Sequence, residues 1–289
     1  MIRNAYYMAL EGRIDKDYVR KDLLNFLKGI EGESKIESIL NQVKNLCYDY
    51  NLELDLQNRI QIDFLVVDDK NIINLEVKNY SGDYFIHNSQ MRNEYGNAFN
   101  LPFHQINRTE YELEHIKSHL QIDRDIKSYL IFTNPTFTLH TNIPHREKVL
   151  LPTELHKLPK KFQNYKIEEN RKLLNKIKTM KKDFSQVYPN TLVPFNDIKP
   201  GLRCQHCRKI GHIFLENRKR HGYCMHCTYQ TTRQELYLHN LRELYVLKRK
   251  PFTINDAQRW CDNGNKDTIR LICRKHFKNE GKHSSFYSL

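Results

Sequence analysis

The sequence lacks any apolar run of the roughly 18 residues that a membrane-spanning helix requires. Its opening stretch, MIRNAYYMALEGRIDKDY, has no apolar core of the kind found in secretory signal peptides. It also has no internal repeat and no low-complexity tract. These absences argue against a membrane or secreted protein, and the expectation is a folded protein located in the cytoplasm.

Acidic residues are scarce in the second half of the chain. Residues 161–289 contain 27 Lys and Arg against 11 Asp and Glu, whereas residues 1–160 contain 20 and 23. The net charge of +13 therefore comes entirely from the second half. A strongly basic region favours a polyanionic partner, most often nucleic acid. The alternative is that the basic residues only increase solubility.

Periodicity predicts the order of elements in the first half. Helices are predicted near residues 33–47 and 102–120, and strands near 48–56, 59–67, 72–78, 127–134 and 147–153. Helices flanking a short sheet predict an α/β fold. Changes in charge and proline content then suggest four segments: a sheet domain (1–157), a basic helical linker (158–200), a cysteine module (201–232) and a helical tail (233–289).

Three charged residues interrupt the apolar runs of a predicted hairpin: Asp63 in IQIDFLVV, and Glu76 and Lys78 in IINLEVK. Asp68–Asn71 is a turn sequence. A turn centred between residues 69 and 70 pairs positions whose numbers sum to 139. It would therefore set Asp63 opposite Glu76 and Gln61 opposite Lys78. Strict alternation would place the even-numbered apolar residues from 60 to 66 on one face.

Two neighbouring carboxylates destabilise a hairpin unless a cation compensates. We therefore predict an Mg²⁺ or Mn²⁺ site formed by Asp63, Glu76 and the backbone carbonyl of Val77. Lys78 would lie beside it and stabilise charge on a phosphate. A polar, solvent-facing strand surface is the alternative. Glu33, on the apolar face of its helix, is either a further ligand or an ordinary first-turn glutamate.

The segments GIEGES, QIDFLVV, LEVKNYSG and LPFHQ occur in an order that resembles the NERD, or nuclease-related, domain of the PD-(D/E)XK nuclease superfamily. The resemblance covers roughly residues 25–125. It implies a restriction-endonuclease-like core, a short mixed sheet flanked by helices, and metal-dependent phosphodiesterase activity. It also implies active-site roles for Glu33, Asp63, Glu76, Lys78 and Gln105, the last of which would orient water or a phosphate.

The chain departs from that family at two positions. Family members often have His after the aspartate and Trp beyond the SG segment, where this chain has Phe64 and Met91. These differences bear on substrate preference rather than on the metal site. His87 and His104 are interpreted as ordinary surface or core histidines.

Four of the seven cysteines form two CxxC pairs separated by sixteen residues: Cys204, Cys207, Cys224 and Cys227. In a reducing compartment this spacing predicts a structural Zn²⁺ in a zinc-ribbon-like module. His206 and His226, inside the pairs, are alternative ligands. Between the pairs, ENRKRHG contains Arg218, Lys219 and Arg220, which would either contact phosphates or add solubility.

The tail predicts a helix-turn-helix with a terminal wing. Thr253 is a good N-cap, and residues 262–265 supply a turn. The second helix would direct Ile269, Cys273 and Phe277 inward. Its basic face, Arg270, Arg274 and Lys278, would contact DNA. A small helical domain that contacts another protein is the alternative.

Together these features predict a DNA nuclease that depends on Mg²⁺ or Mn²⁺ and binds nucleic acid through its zinc module and tail. Defence against foreign DNA, plasmid maintenance and repair are all compatible with this interpretation. Two alternatives stay open: a non-catalytic DNA-binding regulator on a nuclease-like scaffold, and a nuclease that acts on RNA.

Overall fold

The computed structural model of the protein describes residues 2–14, 17–55, 57–87, 90–181, 192–216, 219–280 and 286–289. Its α-helices are α1 (Ile2–Leu10), α2 (Asp17–Leu40), α3 (Phe103–His119), α4 (Ile167–Lys178), α5 (Arg233–Lys248), α6 (Ile254–Trp260) and α7 (Lys266–His276). Within those ranges, no helix combines the length and apolar character needed to cross a membrane.

The β-strands are β1 (Cys47–Asp55), β2 (Arg59–Val67), β3 (Asn71–Lys78), β4 (Gly82–His87), β5 (Gln90–Asn93), β6 (Ala98–Asn100), β7 (Asp125–Phe132), β8 (Phe137–Leu139), β9 (Val149–Leu150), β10 (Ile213–Phe214), β11 (His221–Cys224), β12 (Gln230–Thr232), β13 (Phe252–Thr253), β14 (Lys278–Asn279) and β15 (Phe286–Ser288). The fold is mixed α/β. It divides into a central unit, residues 26–184, and a terminal unit, residues 1–25 and 185–289.

The central unit is built on a five-stranded mixed sheet in the order β1-β2-β3-β7-β9. The pairs β1–β2 and β2–β3 are antiparallel, and β7 is parallel to both β3 and β9. Helix α2 covers one face of the sheet through Ile36 and Leu40. Helices α3 and α4 cover the other face, where they bury residues that include Leu113 and Leu174.

The hairpin register is confirmed where the two strands pair. Phe64 lies opposite Leu75 and Val67 opposite Ile72, so the paired numbers sum to 139. The Asp68 carboxylate closes the turn by accepting the backbone N–H groups of Lys70 (2.9 Å) and Asn71 (2.7 Å). This Asx-type cap is the physical reason that the turn sequence fixes the register.

The predicted sharing of one face along β2 is wrong. Ile60 and Ile62 pack on the α3 and α4 side, whereas Phe64 and Val66 pack on the α2 side. The change of face falls at Asp63. Its neighbour on β1 is Asn51, which has a left-handed backbone (φ 52°) and so interrupts the regular alternation of both strands.

Two predicted boundaries also differ from the structure. Helix α2 begins well before residue 33 and ends at Leu40 rather than near Cys47, because Asn45 adopts a left-handed backbone (φ 59°) and Cys47 starts β1. The segment predicted as a linker (158–200) contains α4. Its Leu174 and Ile177 are buried against the sheet, so it belongs in part to the central unit.

The terminal unit combines residues from both ends of the chain, whereas the predicted first domain (1–157) includes residues 1–25. Helix α1 packs on α5. Strands β10, β11 and β12 form one antiparallel sheet, and β13, β15 and β14 form another, in those orders. Thr253 caps α6 as predicted, by accepting the N–H of Asp256 at 3.2 Å.

A buried ionic cluster joins the two chain segments of the terminal unit. Glu243 contacts both Arg13 (2.9 Å) and Arg203 (2.8 Å), and both arginine side chains are fully buried. Burial alone would raise the pKa of Glu243, but bonding to His239 and the two guanidinium charges lower it to about 2. The resulting stabilisation is complete above the unfolded-state pKa near 4.5 and is lost as the pH falls towards 2.

Arg13 has a further partner in the single tryptophan of the chain. Its guanidinium carbon lies 4.3 Å from the centre of the Trp260 ring, which is 3% exposed. This cation–π contact places the only indole beside the ionic cluster. Trp260 fluorescence therefore reports on the folding of the terminal unit alone.

Replacing the shared acid should destabilise that unit. Glu243→Gln leaves the buried Arg13 without this ion-pair partner and leaves Arg203 with the more distant carboxylate of Glu11, at 3.9 Å. We therefore expect the free energy of unfolding to fall by about 3 kcal/mol. Urea unfolding followed by Trp260 fluorescence measures the change. As the matched control, Asp267→Asn breaks the exposed ion pair with Arg270 and should cost less than about 1 kcal/mol. Equal losses in the two variants would contradict the assignment.

Candidate functional site

The candidate site lies where β2 and β3 separate. Their pairing ends at Phe64 and Leu75, so the predicted ladder pairs of Asp63 with Glu76 and of Gln61 with Lys78 do not form. Gln61 instead pairs with Glu53 of β1. Beyond the last pair, the Asp63 carboxylate reaches across the gap and accepts the N–H of Val77 at 2.9 Å.

Glu76 lies at the buried end of this gap. Its side chain is fully buried, and its Oε1 accepts Lys78 Nζ at 2.5 Å. The Oε2 atom is buried and has no hydrogen-bond partner. A buried carboxylate oxygen without a donor is costly, so this atom marks a position that favours an additional cation.

Burial raises the pKa of the acids in the cluster. Burial and the nearby charge of Asp63 raise the pKa of Glu76 to about 8, although Lys78 opposes the shift. Burial also raises the pKa of Asp63, against the Val77 hydrogen bond and the charge of Lys78. For Lys78, burial would lower the pKa, but the attraction of Glu76 outweighs it and the pKa is raised.

Helix α2 brings Glu33 to the same cluster by packing unusually close to the sheet. A Cβ at Gly32 would lie 2.8 Å from both Asn79 Cβ and Thr133 Oγ1, so glycine permits the approach. Asn79 Nδ2 then donates to the carbonyl of Lys28 at 2.8 Å and fixes the helix. Burial and the charge of Asp63 raise the pKa of Glu33 to about 7.

Gln105, in the first turn of α3, completes the predicted set. Its Oε1 accepts Lys78 Nζ at 3.1 Å. The predicted residues Glu33, Asp63, Glu76, Lys78 and Gln105 therefore lie in one neighbourhood, linked by direct contacts or, for Glu33, by the effect of Asp63 on its pKa. Their roles in catalysis stay predictions.

Three residues of the adjoining cleft, Tyr80, Arg108 and Arg59, were not predicted from the sequence. A cavity of about 430 Å³ opens beside Lys78 and Gln105 and is also lined by Tyr80, Arg108 and Arg59. Tyr80 lies close enough for the charges of Lys78 and Glu76 to act on its pKa, which burial raises. Tyr80 lies two residues after Lys78, so the sequence around the motif could have pointed to it. Arg108 can be recognised only from its position on α3.

The oxygen ligands fit a hard divalent cation at the two strand residues. The unpartnered Oε2 of Glu76 and the carboxylate of Asp63 lie at the same gap. The carbonyl of Lys78 accepts the N–H of Thr133, the residue that follows β7. The N–H and C=O groups of successive residues point to opposite sides of a strand. The N–H and C=O of Val77 therefore point towards β2 and the gap. In the described part of the chain, no three carboxylates have ligand atoms within 4.8 Å of one another, so Glu33 does not join the two as a tight third ligand.

The four predicted cysteines converge in the terminal unit. Their sulfur atoms all lie within 4.8 Å of one another, with Cys204–Cys227 and Cys207–Cys224 both at 3.7 Å. Four thiolates at 2.3 Å from a tetrahedral Zn²⁺ lie about 3.8 Å apart. The cluster therefore has the composition and spacing of a closed zinc site.

The two CxxC pairs have the same local geometry. The N–H of Cys204 donates to the carbonyl of Lys209, and the Cys204 carbonyl accepts the N–H of Arg208. Cys224 makes the same two hydrogen bonds with Tyr229 and Thr228. Arg208 and Thr228 both have left-handed backbones (φ 62° and 59°). His206 and His226 lie outside the cluster. The His206 ring stacks on Tyr229, and His226 contacts Lys209 at 2.7 Å.

The predicted nucleic-acid contacts fall into three groups. Arg218 lies outside the described residues. Lys219 and Arg220 are exposed at the start of β11. Arg270 and Arg274 are exposed on α7, and Ile269 and Cys273 are buried as predicted.

Lys278 does not lie on α7 as predicted. The helix ends at His276, where Phe277 becomes extended (φ −129°, ψ 150°) and buried, and Lys278 begins β14. Lys278 is nevertheless exposed.

Comparison with known proteins gives one family match, which covers part of the central unit. Residues 28–133 match the family model NERD, the nuclease-related domain. This match spans the whole carboxylate–lysine cluster. No match was found among curated proteins, and none among solved structures.

Cation binding at the strand gap should depend on pH. Because the pKa of Glu76 is about 8 without a cation, binding below pH 8 must displace a proton. We expect Mn²⁺ affinity to rise about tenfold between pH 6 and pH 7 and to level off above pH 8.5. Calorimetry in two buffers of different ionisation enthalpy measures the released proton.

The same shift predicts a stability trend without cation. The folded state holds the Glu76 proton more tightly than the unfolded state, so its contribution to stability is present below pH 4.5 and is lost as the pH rises towards 8. Glu76→Gln should remove both effects, whereas Asp83→Asn, at an exposed carboxylate of the same unit, should preserve them. Mn²⁺ affinity that does not vary with pH in the unmodified protein would refute the prediction.

The cysteine cluster should hold one zinc per chain. Cys227→Ser removes one thiolate, and we expect the bound zinc to fall by more than half after dialysis, as measured by plasma mass spectrometry. Cys47→Ala, in the central unit, is the matched control and should keep its zinc. Zinc retained in Cys227→Ser at the unmodified level would contradict a site made of four thiolates.

Proposed function

We propose that the protein is a metal-dependent nuclease that hydrolyses phosphodiester bonds of DNA. The observation that carries this proposal is the gathering of Asp63, Glu76 and Lys78 where β2 and β3 separate, inside the segment that matches a nuclease-related domain. Such a cluster of two acids and one amine is the arrangement that the PD-(D/E)XK resemblance implies.

Asp63, Glu76 and the carbonyl of Val77 would hold Mg²⁺ or Mn²⁺, with Glu33 able to act at longer range. A bound divalent cation lowers the pKa of water and neutralises phosphate charge. The protein's own contribution is to hold its acids in a rigid, buried position. Asp63 is fixed by the Val77 N–H, and Glu76 by burial and by Lys78.

Lys78 and Gln105 would act on the reacting groups directly. A cation at Glu76 would compete with Lys78 for the carboxylate, which frees the ammonium to orient a water or a phosphate oxygen. Gln105 Oε1, 3.1 Å from Lys78 Nζ, keeps that ammonium at the mouth of the cleft. Arg108 and Arg59 line the same cleft and supply positive charge for the flanking phosphates.

DNA is the preferred substrate because of the terminal unit. Its last elements run α5, β13, α6, α7, β14, β15, with β15 between β13 and β14 in the sheet. We propose that they form a winged helix-turn-helix with α7 as the recognition helix. Arg270 and Arg274 lie four residues apart on its exposed side, which suits phosphates and base edges of a major groove.

Cleavage assays on supercoiled, linear and single-stranded DNA test the proposal. With Mg²⁺ or Mn²⁺ we expect DNA cleavage by the unmodified chain and a loss of at least about 100-fold in Asp63→Ala and Lys78→Ala, because each removes a group at the reacting phosphate. Asp83→Ala, an exposed acid of the central unit, should retain cleavage within about twofold.

The outcomes separate the rival functions. Cleavage that persists in both site variants would point to a contaminant and overturn the assignment. Binding without cleavage of any DNA or RNA would support a non-catalytic regulator on a nuclease-like scaffold. Matched RNA strands in parallel reactions decide between DNA and RNA, since the carboxylates contact phosphate and not sugar.

A further inference from the structure

The sheet of the cysteine module has one face open to solvent, and that face carries two aromatic rings. Phe214 on β10 lies directly opposite Tyr223 on β11, and Tyr223 lies opposite Gln230 on β12. The side chains of all three are exposed, with Phe214 at 45% and Tyr223 at 44%. Strand alternation places Ile213, Gly222 and Cys224 on the other, less exposed face.

The two exposed rings contact each other at the surface rather than in a core. Their centres lie 5.4 Å apart with planes tilted by 43°. The backbone beneath them is tightly packed, because a Cβ at Gly222 would lie 2.4 Å from Leu215 Cδ2 and 2.7 Å from the Phe214 carbonyl. The pair is therefore held on a rigid surface and keeps its apolar area in water.

Basic side chains border the aromatic pair. A cavity of about 260 Å³ is lined by Phe214, Tyr223, Lys219, Arg220 and His221, with Glu216 as its single acid. Both Lys219 and Arg220 are exposed. The guanidinium of Arg233 donates to the carbonyls of Glu216 (2.6 Å) and Lys219 (3.2 Å) and so holds these two residues near each other.

We infer that this face is a stacking platform for the bases of single-stranded nucleic acid. This extends the nucleic-acid binding proposed above to a second, chemically different surface of the terminal unit. Exposed aromatic rings beside a basic groove bind unpaired bases by stacking while cations contact the backbone. A duplex offers no free base faces, so its binding would not use the two rings.

Charge favours this occupant over a protein segment. The module from 201 to 232 contains six Lys and Arg, of which Arg203 is buried on Glu243, but only one acidic residue, Glu216. The rings lie beside the positive side chains, so phosphates of a bound strand meet Lys219 and Arg220 when bases meet Phe214 and Tyr223. An apolar peptide would gain nothing from that charge.

Fluorescence anisotropy with the zinc-loaded full chain tests the inference. The probes are a labelled 20-nucleotide DNA strand, an RNA strand of the same sequence and the matching DNA duplex, all without Mg²⁺ or Mn²⁺. Phe214→Ala/Tyr223→Ala should weaken single-strand binding about tenfold or more and change duplex binding less than about threefold. Lys219→Ala/Arg220→Ala should lower the salt slope for single strands by about 1.4.

Matched variants guard against a general structural effect. Tyr229→Ala removes a tyrosine of similar exposure (39%) whose ring lies on His206, away from the pair, and should bind like the unmodified chain. Tyr223→Phe should retain binding because it keeps the ring. If the double variant loses zinc, Tyr223→Thr replaces it, since a β-branched residue suits an exposed strand.

Three results would overturn the platform: no loss of single-strand binding, an equal loss on the duplex, or the same loss in Tyr229→Ala. A loss on both DNA and RNA assigns the platform to unpaired bases in general, and a loss on one assigns it to that strand type. Because these measurements need no cleavage, they are independent of the Asp63→Ala test of nuclease activity.

Discussion

The central unit depends on one constraint: a fully buried carboxylate, Glu76, must be compensated. The protein compensates it partly with Lys78 and leaves its second oxygen without a donor. Everything around the residue serves that arrangement. The strands separate beside it, Asp63 is held across the gap, and a glycine lets α2 approach with another acid. Such a concentration of charge lowers stability and is typical of a functional site rather than a structural one.

Much of this site could be predicted from the sequence because its signals are local. The Asp68 turn fixes the register of the hairpin, so the proximity of Asp63 and Glu76 follows from counting. The end of the ladder at Phe64 could not be predicted in the same way. It depends on the left-handed backbone of Asn51 on a different strand, and asparagine only occasionally adopts that conformation.

In the terminal unit, the cysteine cluster could be predicted from the sequence, but the packing of the two chain segments could not. The cysteine spacing predicts the convergence of four sulfurs, and both CxxC pairs form the same tight turn. The packing of residues 1–25 against the C-terminal segment had no such signal. Arg13 and Arg203 resemble surface charges in the sequence, yet both are buried on Glu243. Arg203, one of the basic residues counted in the second half of the chain, is therefore structural, and the surface available to a polyanion is smaller than composition suggests.

The contact between Arg13 and Glu243 also has a temporal consequence. During synthesis Arg13 leaves the ribosome long before Glu243, and the whole central unit is translated between them. Domains generally fold as units in the order in which they emerge. The central sheet can thus complete its own core while the early segment still lacks its acceptor. The long loop between Arg13 and Glu243 closes last, so the terminal unit completes its fold after the central unit.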